Sequence, residues 1–356
     1  MAPAKKPVAT PARSRKLFLG DNLKVLRDSI LDESVDLVYL DPPFNSAADY
    51  NVLFRDQSDH QDSAQIMAFT DTWKWGPDDE QLLLELTQIH GELARFLSDT
   101  VTRLGRNDLS AYLVMMGVRL VELHRVLKST GSLYLHCDPT ASHYLKIIMD
   151  IVFGAKRFRS EISWRRSGAH NDAKQGRSQY GNVRDIILFY TKGDEWTWNT
   201  LYTSYSEKHL SSEYRHRDTD GRMYKQTDVT ANKGGGDTSF IWRVKRNTTA
   251  TTGWEADLDD EYVNPLVGWE YGEVLPYKGR YWAYSKANLA EFARAGKLHH
   301  RSSGQPRLKQ YADEMPGVTL QNDWDDISAI VGTAKERLGY PTQKPVALLE
   351  RIVSAR

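Results

Sequence analysis

The chain has 356 residues, with 47 Lys or Arg against 47 Asp or Glu, so its formal charge is zero. This length suits one large α/β domain with an insertion, or two domains. With 40% hydrophobic and 11% aromatic residues it can bury a real core, which excludes disorder beyond the first residues. A mean hydropathy of −0.57, with charges breaking every apolar run, excludes a transmembrane helix. One cysteine, Cys137, excludes an intrachain disulfide and a Cys-rich zinc site, and no metal site is expected. The N-terminus has no apolar secretory core, so a cytoplasmic location and no membrane partner are expected.

The zero total conceals an uneven distribution: residues 1–16 carry +5, 17–150 carry −10, 155–250 carry +7 and 251–356 carry −2. A basic segment after an acidic half points to a nucleic-acid surface on part of the molecule.

Residues 1–16 are rich in Pro, Ala, Lys and Arg without apolar period, and read as a disordered basic tail. Residues 16–19 form a short apolar strand pattern, and Leu23, Leu26 and Ile30 recur at helical spacing. Val35–Leu40 reads as a buried strand. Strand, helix, strand predicts a right-handed crossover and a parallel sheet. Residues 111–128 carry an apolar stripe of Leu113, Met116, Leu120, Leu123 and Leu127, which predicts a helix ended by Thr130-Gly131. A strand over 132–137 and a helix over 144–152 follow, so the first 154 residues read as β-α units of a doubly wound sheet. Two more strands are expected at 161–164 and 183–190, separated by a polar, basic loop. Residues 196–330 have short aromatic-rich segments broken by Gly, Pro, Asn and Asp, and predict an irregular α+β insert.

Asp41-Pro42-Pro43-Phe44 directly follows the strand Val35–Leu40. Ligands of open α/β sheets bind outside the carboxyl ends of the strands, so a site belongs here. The two prolines remove amide donors and leave carbonyls that only accept; Asp41 adds a carboxylate and Phe44 a flat π face. Acceptors beside an aromatic plate suit an exocyclic amino group on a planar base. Cys137 lies inside a strand after His136, as a small buried hydrophobe would, which argues against cytosine C5 chemistry. His136-Cys137-Asp138 at a strand end could line the pocket.

These residues resemble the S-adenosylmethionine-dependent DNA amino-methyltransferases, which modify adenine N6 or cytosine N4 and whose signature is Asp/Asn/Ser-Pro-Pro-aromatic. Leu19-Gly20-Asp21-Asn22 resembles the family's strand-end element, which implies cofactor-binding roles for Asp21 and Asn22. Residues 112–133 resemble its helix-strand stretch, and 181–190 (GNVRDIILFY) the element before target recognition. Tyr340-Pro341-Thr342-Gln343-Lys344-Pro345 resembles the element opening the cofactor-side helix, which implies that Thr342, Lys344 and Pro345 bind S-adenosylmethionine.

The resemblance implies catalytic roles for Asp41, Pro42, Pro43 and Phe44, and a Rossmann-like methyltransferase sheet with an inserted α+β target-recognition region. The motif order is the circularly permuted β class, in which a Phe-x-Gly-x-Gly loop follows the Lys-Pro element. None appears before Arg356, and Gly234-Gly235-Gly236 lacks the flanking strand and helix of a cofactor turn, so the sheet is expected to be incomplete at the C-terminus. The expected organisation is tail 1–16, catalytic domain 17–195, recognition insert 196–330, and start of the cofactor-binding part 331–356. Asp first in the motif leans toward adenine in the resembled family.

Double-stranded DNA is the expected partner of Asn45, Arg165, Arg166, Lys174, Arg177 and Tyr180, with Arg184 also serving phosphates and Trp164 and Tyr190 offered for stacking on bases. Residues 45–54 could flap over the base, while the acidic residues 255–261 should face away from DNA. The resemblance implies a bacterial, archaeal or phage protein, and leaves a cognate restriction endonuclease and a homodimer open. An amino-methyltransferase of RNA or protein glutamine, and a non-catalytic DNA-binding relic, are the rival classes.

Overall fold

The structure, a computed structural model, describes residues 15–42, 49–51, 67–70, 74–167, 180–250, 252–332, 334–338 and 342–356, with backbone alone at 49–51 and 67–70. In chain order it begins with α1 (Asn22–Ser29), β1 (Val35–Leu40), a two-stranded antiparallel pair β2 (Asp49–Asn51) and β3 (Met67–Thr70), and helices α2 (Pro77–Ile89), α3 (Gly91–Leu104) and α4 (Asp108–Val126). Then come β4 (Leu127–Cys137), α5 (Pro139–Phe153), β5 (Phe158–Arg165) and β6 (Arg184–Thr191). The next strands and helices are β7 (Tyr202–Thr203), α6 (Glu207–Glu213), β8 (His216–Arg217), β9 (Met223–Asp228), β10 (Thr230–Ala231), β11 (Trp242–Asn247), β12 (Glu255–Ala256), β13 (Trp269–Val274) and β14 (Tyr281–Trp282). The chain continues with α7 (Lys286–Arg294), β15 (Leu298–His300), β16 (Pro306–Tyr311), β17 (Val318–Thr319), β18 (Asp323–Trp324) and α8 (Val346–Ser354). It is a mixed α/β protein of two compact units, Met1–Leu201 with Gln321–Arg356, and Tyr202–Leu320. No helix among the described residues is long and apolar enough to cross a membrane.

The first unit is built on a five-stranded sheet of order β1-β4-β6-β5-β18. β1 and β4 are parallel, as are β5 and β18, but β6 runs antiparallel to both of its neighbours. The β-α units over the first 154 residues predicted a parallel sheet, and β1–β4 is parallel; β6, one of the two further strands expected after them, reverses direction and makes the sheet mixed. The predicted strand over 16–19 is not formed. Leu17 is 99% exposed and Leu19 82%, and three apolar residues without a sheet neighbour bury too little to hold a strand.

Side-chain alternation divides the sheet's residues into two chemically different sets. Leu133, Leu135, Cys137, Leu188 and Tyr190 join the core made with α3, α4 and α5, where Leu97, Leu113, Met116, Leu120, Leu145 and Ile148 are fully buried. Each such side chain stabilises the fold by roughly 1.5–3 kcal/mol relative to exposure. The alternate positions add aromatic and polar residues, Tyr39, Tyr134, His136, Trp164, Asp185 and Phe189, to the aliphatic Leu37, Ile162 and Ile187, with Tyr134 and Phe189 stacked at 4.4 Å.

The helix predicted to reach 128 ends at Val126, and β4 starts at once. Gly131 allows this: a Cβ there would lie 2.9 Å from the Lys128 carbonyl oxygen, and the β1–β4 register slips next to it. Helices α2 and α3 were not predicted, although Gly76-Pro77-Asp78-Asp79 gives an N-terminus with proline and acids in the first turn.

The second unit has a four-stranded antiparallel sheet, β15-β16-β9-β8, and a three-stranded one, β12-β11-β13. Its core gathers Val229, Trp242, Val244, Val274, Trp282 and Leu289. The irregular pattern concealed α7, which Ser285 caps by accepting from the Asn288 amide at 3.3 Å. Acidic residues 255–261 are partly neutralised within this unit, Lys245 meeting Glu261 at 2.9 Å and Arg243 meeting Asp260 at 3.2 Å.

Candidate active site

Asp41 stands where the chain leaves β1, beside the carboxyl end of the parallel strand β4. Its carboxylate takes both oxygens' hydrogen bonds from the Lys344 ammonium, at 2.8 and 2.9 Å, joining positions 303 residues apart. Lys344 is 10% exposed and Asp41 29% at the side chain, so the pair is only partly screened by water.

The sequence before α8 explains how the lysine is delivered. The Gln343 side chain accepts from the Leu338 amide at 2.8 Å and donates to the Glu336 carbonyl at 2.7 Å, which ties the residue before Lys344 to residues 336–338. Lys344 then also donates to the Thr342 carbonyl at 3.2 Å, and Pro345 is the N-cap of α8, without a side-chain cap of its own. Arg351 on α8 pairs with Asp326 at 2.8 Å.

Below Asp41, His136 is fully buried. Its Nδ1 lies 2.7 Å from the Tyr39 hydroxyl and 3.9 Å from an Asp41 oxygen; its Nε2 lies 3.0 Å from Asp185. Burial first, then the carboxylates of Asp41 and Asp185, push the Tyr39 hydroxyl far above its ordinary range, so it remains a proton donor. Trp164 meets the imidazole edge-on at 5.6 Å, and its indole N–H donates to the Ile327 carbonyl at 2.9 Å.

The end of β5 opens on a groove of about 570 Å³ lined by Arg165, Arg166, Ser167, Asp325 and residues 328–332. Arg166 approaches the second oxygen of Asp185 to 3.3 Å. Arg184 is engaged by Asp323. Trp164 and Tyr190 are buried rather than available for stacking, which corrects their reading as DNA contacts; Tyr180 is 99% exposed.

Asp21 and Asn22 form a separate cluster. Asp21 caps α1 by accepting from the Leu23 amide at 2.8 Å and takes Arg119 at 2.7 Å, while Asn22 accepts from the same guanidinium at 2.7 Å. The structure thus brings Asp41, Thr342, Lys344 and Pro345 together, and Arg165 with Arg166. Pro43, Phe44, Asn45, Lys174 and Arg177 lie outside the described residues. Tyr39 and Asp185 went unread; the available signal was a tyrosine and a carboxylate placed inside otherwise apolar strands.

Cys137 is fully buried, and burial pushes its thiol well above its ordinary range, so it holds no thiolate for nucleophilic attack. Iodoacetamide should therefore label Cys137 only on unfolding, and Cys137→Ala, which removes only core volume, should lower Tm modestly without changing the fold; rapid labelling of the folded chain would overturn this reading. Among the described residues no group of three or more His, Cys, Asp or Glu could hold a metal ion.

A family model described as DNA methylase matches residues 35–356. The type II methyltransferase M.EcaI of Enterobacter cloacae is 26% identical over 246 residues, 69% of this chain and 47% of that protein. The StyLTI Mod subunit, part of a type III restriction-modification enzyme of Salmonella typhimurium, is 26% identical over 97% of this chain and 47% of its own length. M.KpnI of Klebsiella pneumoniae is 23% identical over 88% of this chain and 63% of its own. The chain therefore spans about half the length of the first two relatives. A solved PvuII cytosine-N4-specific DNA methyltransferase aligns at a TM-score of 0.29 and 10% identity over 51% of this chain and 50% of its own, too slight a likeness to carry an argument.

Proposed function

This chain belongs to the DNA methylase family, and we propose that it transfers a methyl group to the exocyclic amino group of a base flipped out of double-stranded DNA, preferentially adenine N6. The observation that carries this reading is Asp41: a carboxylate at the carboxyl end of β1, first in the sequence Asp-Pro-Pro-Phe and held ionically by Lys344. Flipping costs a few kcal/mol, which stacking on Phe44 helps to offset. Asp41 accepts one amine hydrogen and the carbonyl at Pro42 the other. These contacts draw the nitrogen lone pair out of conjugation with the ring and aim it at the methyl donor. The proton leaves only after the new N–C bond has formed, so Asp41 acts by alignment and charge rather than as a strong base.

S-adenosylmethionine would supply an electrophilic methyl carbon, whose bond to sulfur breaks as the bond to nitrogen forms. The chain's donor set fits it: Asp21 is 57% exposed despite its Arg119 partner, leaving an acceptor for hydroxyl or amino hydrogens, and Asn22 adds an amide. Thr342, Lys344 and Pro345 would bind it at the start of α8, where a helix N-terminus favours a carboxylate.

The parallel pair β1–β4 is assigned to a Rossmann-like methyltransferase sheet. Residues 17–195 with 331–356 serve transfer, and 196–330 serve target recognition. Arg165 and Arg166 take DNA phosphates in their groove, aided by Asn45, Lys174, Arg177 and Tyr180. The relatives named Mod subunits belong to restriction-modification enzymes, so a cognate restriction subunit is the protein partner to seek.

Tritiated methyl from S-adenosylmethionine should enter unmethylated duplex DNA, and digestion to nucleosides should place it on N6-methyl-2′-deoxyadenosine. Label on N4-methyl-2′-deoxycytidine would move the assignment to the other amine of the family's substrates. Binding to duplex DNA with no transfer to any base would leave a DNA-binding fragment in its place.

A further inference from the structure

Tyr39, His136 and Asp185 form a buried polar chain across three adjacent strands, β1, β4 and β6, and the transfer step outlined above gives it no task. Sheet geometry explains the meeting. Tyr39 pairs with Tyr134 and His136 with Ile187, so alternation puts Tyr39, His136 and Asp185 on one face, with Asp185 diagonal to the imidazole. Asp41, two residues beyond Tyr39, ends the same row.

A buried carboxylate and imidazole are costly unless each is satisfied, and packing alone would be served by apolar residues. Geometry favours one order of hydrogen bonds: an Asp185 carboxylate accepts from a proton on Nε2, and a neutral imidazole then accepts at Nδ1 from the Tyr39 hydroxyl, which keeps its own proton. The other Asp185 oxygen has no hydrogen-bond donor among the described residues, and Arg166 stands 3.3 Å away with its side chain 44% exposed in the groove. The row thus runs from a groove-facing cation, through Asp185, His136 and Tyr39, to the end of β1 and Asp41.

We propose that Tyr39–His136–Asp185 is a positioning relay for methyl transfer, with His136 its central positioning residue. It fixes the carboxyl end of β1, and so the direction of the Asp41 carboxylate, against the strand that leads to Arg166. This rests on the reading of Asp41 as the acceptor for the target amine.

Asp185→Asn is nearly isosteric and tests it. An amide that donates to Nε2 moves the ring proton to Nδ1, where it opposes the Tyr39 hydroxyl hydrogen. The expected result, with the full chain, is a fall in kcat of about 10–100-fold while the Kd for duplex DNA stays within about threefold. Tyr39→Phe should cost less, and the double variant should be no worse than Asp185→Asn alone, because both cut one chain. Long-range proton–nitrogen NMR of histidine-labelled protein should show protonated Nε2 and bare Nδ1 at His136, exchanged in Asp185→Asn. Wild-type kcat in Asp185→Asn, or a lowered Tm with kcat and KM unmoved, would overturn the relay, as would a ring protonated at Nδ1 in the wild type. Failure of the wild-type chain to methylate would strike the proposed function instead, and the NMR result would still decide the relay's hydrogen-bond order.

Discussion

Asp41→Ala should lower methyl transfer by at least about 10³-fold while duplex DNA is still bound within about threefold of wild type. A single preorganised group facing developing charge is worth about 10²–10³ in rate, and Asp41 also orients the attacking nitrogen, so the loss should reach the upper end or beyond. DNA affinity comes chiefly from phosphate contacts, which place no demand on this carboxylate. The substitution also removes the Asp41 carboxylate from a Lys344 ammonium that is only 10% exposed, so a reduced Tm is expected alongside. Asp41→Asn separates the effects: it keeps an acceptor oxygen and the side-chain volume, and should retain more activity than Asp41→Ala. Tritium incorporation and fluorescence anisotropy on the same preparations check both numbers. Wild-type turnover in Asp41→Ala would remove this residue from the chemistry.

The parts of this protein legible in sequence were those governed by local rules. A six-residue apolar strand ending at Asp-Pro-Pro could be read because periodicity and proline chemistry act over a few residues. The amphipathic helix α4 could be read for the same reason. The reversal of β6 could not, because strand direction depends on connection length and on which edges meet. Residues 16–19 had the composition of a strand without a neighbour to pair with, and composition alone does not supply one. Asp185 was hidden differently: within an apolar strand it looks like a local inconsistency, and only the imidazole of His136, 49 residues away, explains it.

Lys344 shows how an inference by resemblance can name a residue without fixing its contact. Its motif implies a cofactor role, whereas its ammonium meets both oxygens of Asp41. The two roles predict different kinetics. A lysine that acts through Asp41 keeps the carboxylate ionised and aligned, so Lys344→Met should cut kcat by about 10–100-fold with the KM for S-adenosylmethionine changed by less than about threefold. Lys344→Arg, which preserves charge but not the compact ammonium, should recover part of the loss. In a double-mutant cycle with Asp41→Asn, the two effects should be strongly less than additive, because each substitution removes the same ion pair. A raised KM for S-adenosylmethionine at unchanged kcat, with additive effects in the cycle, would instead place Lys344 on the cofactor alone. Either result assigns the start of α8, since Gln343, tied to Leu338 and Glu336, holds the neighbouring Lys344 so that its one side chain serves one of the two reacting partners.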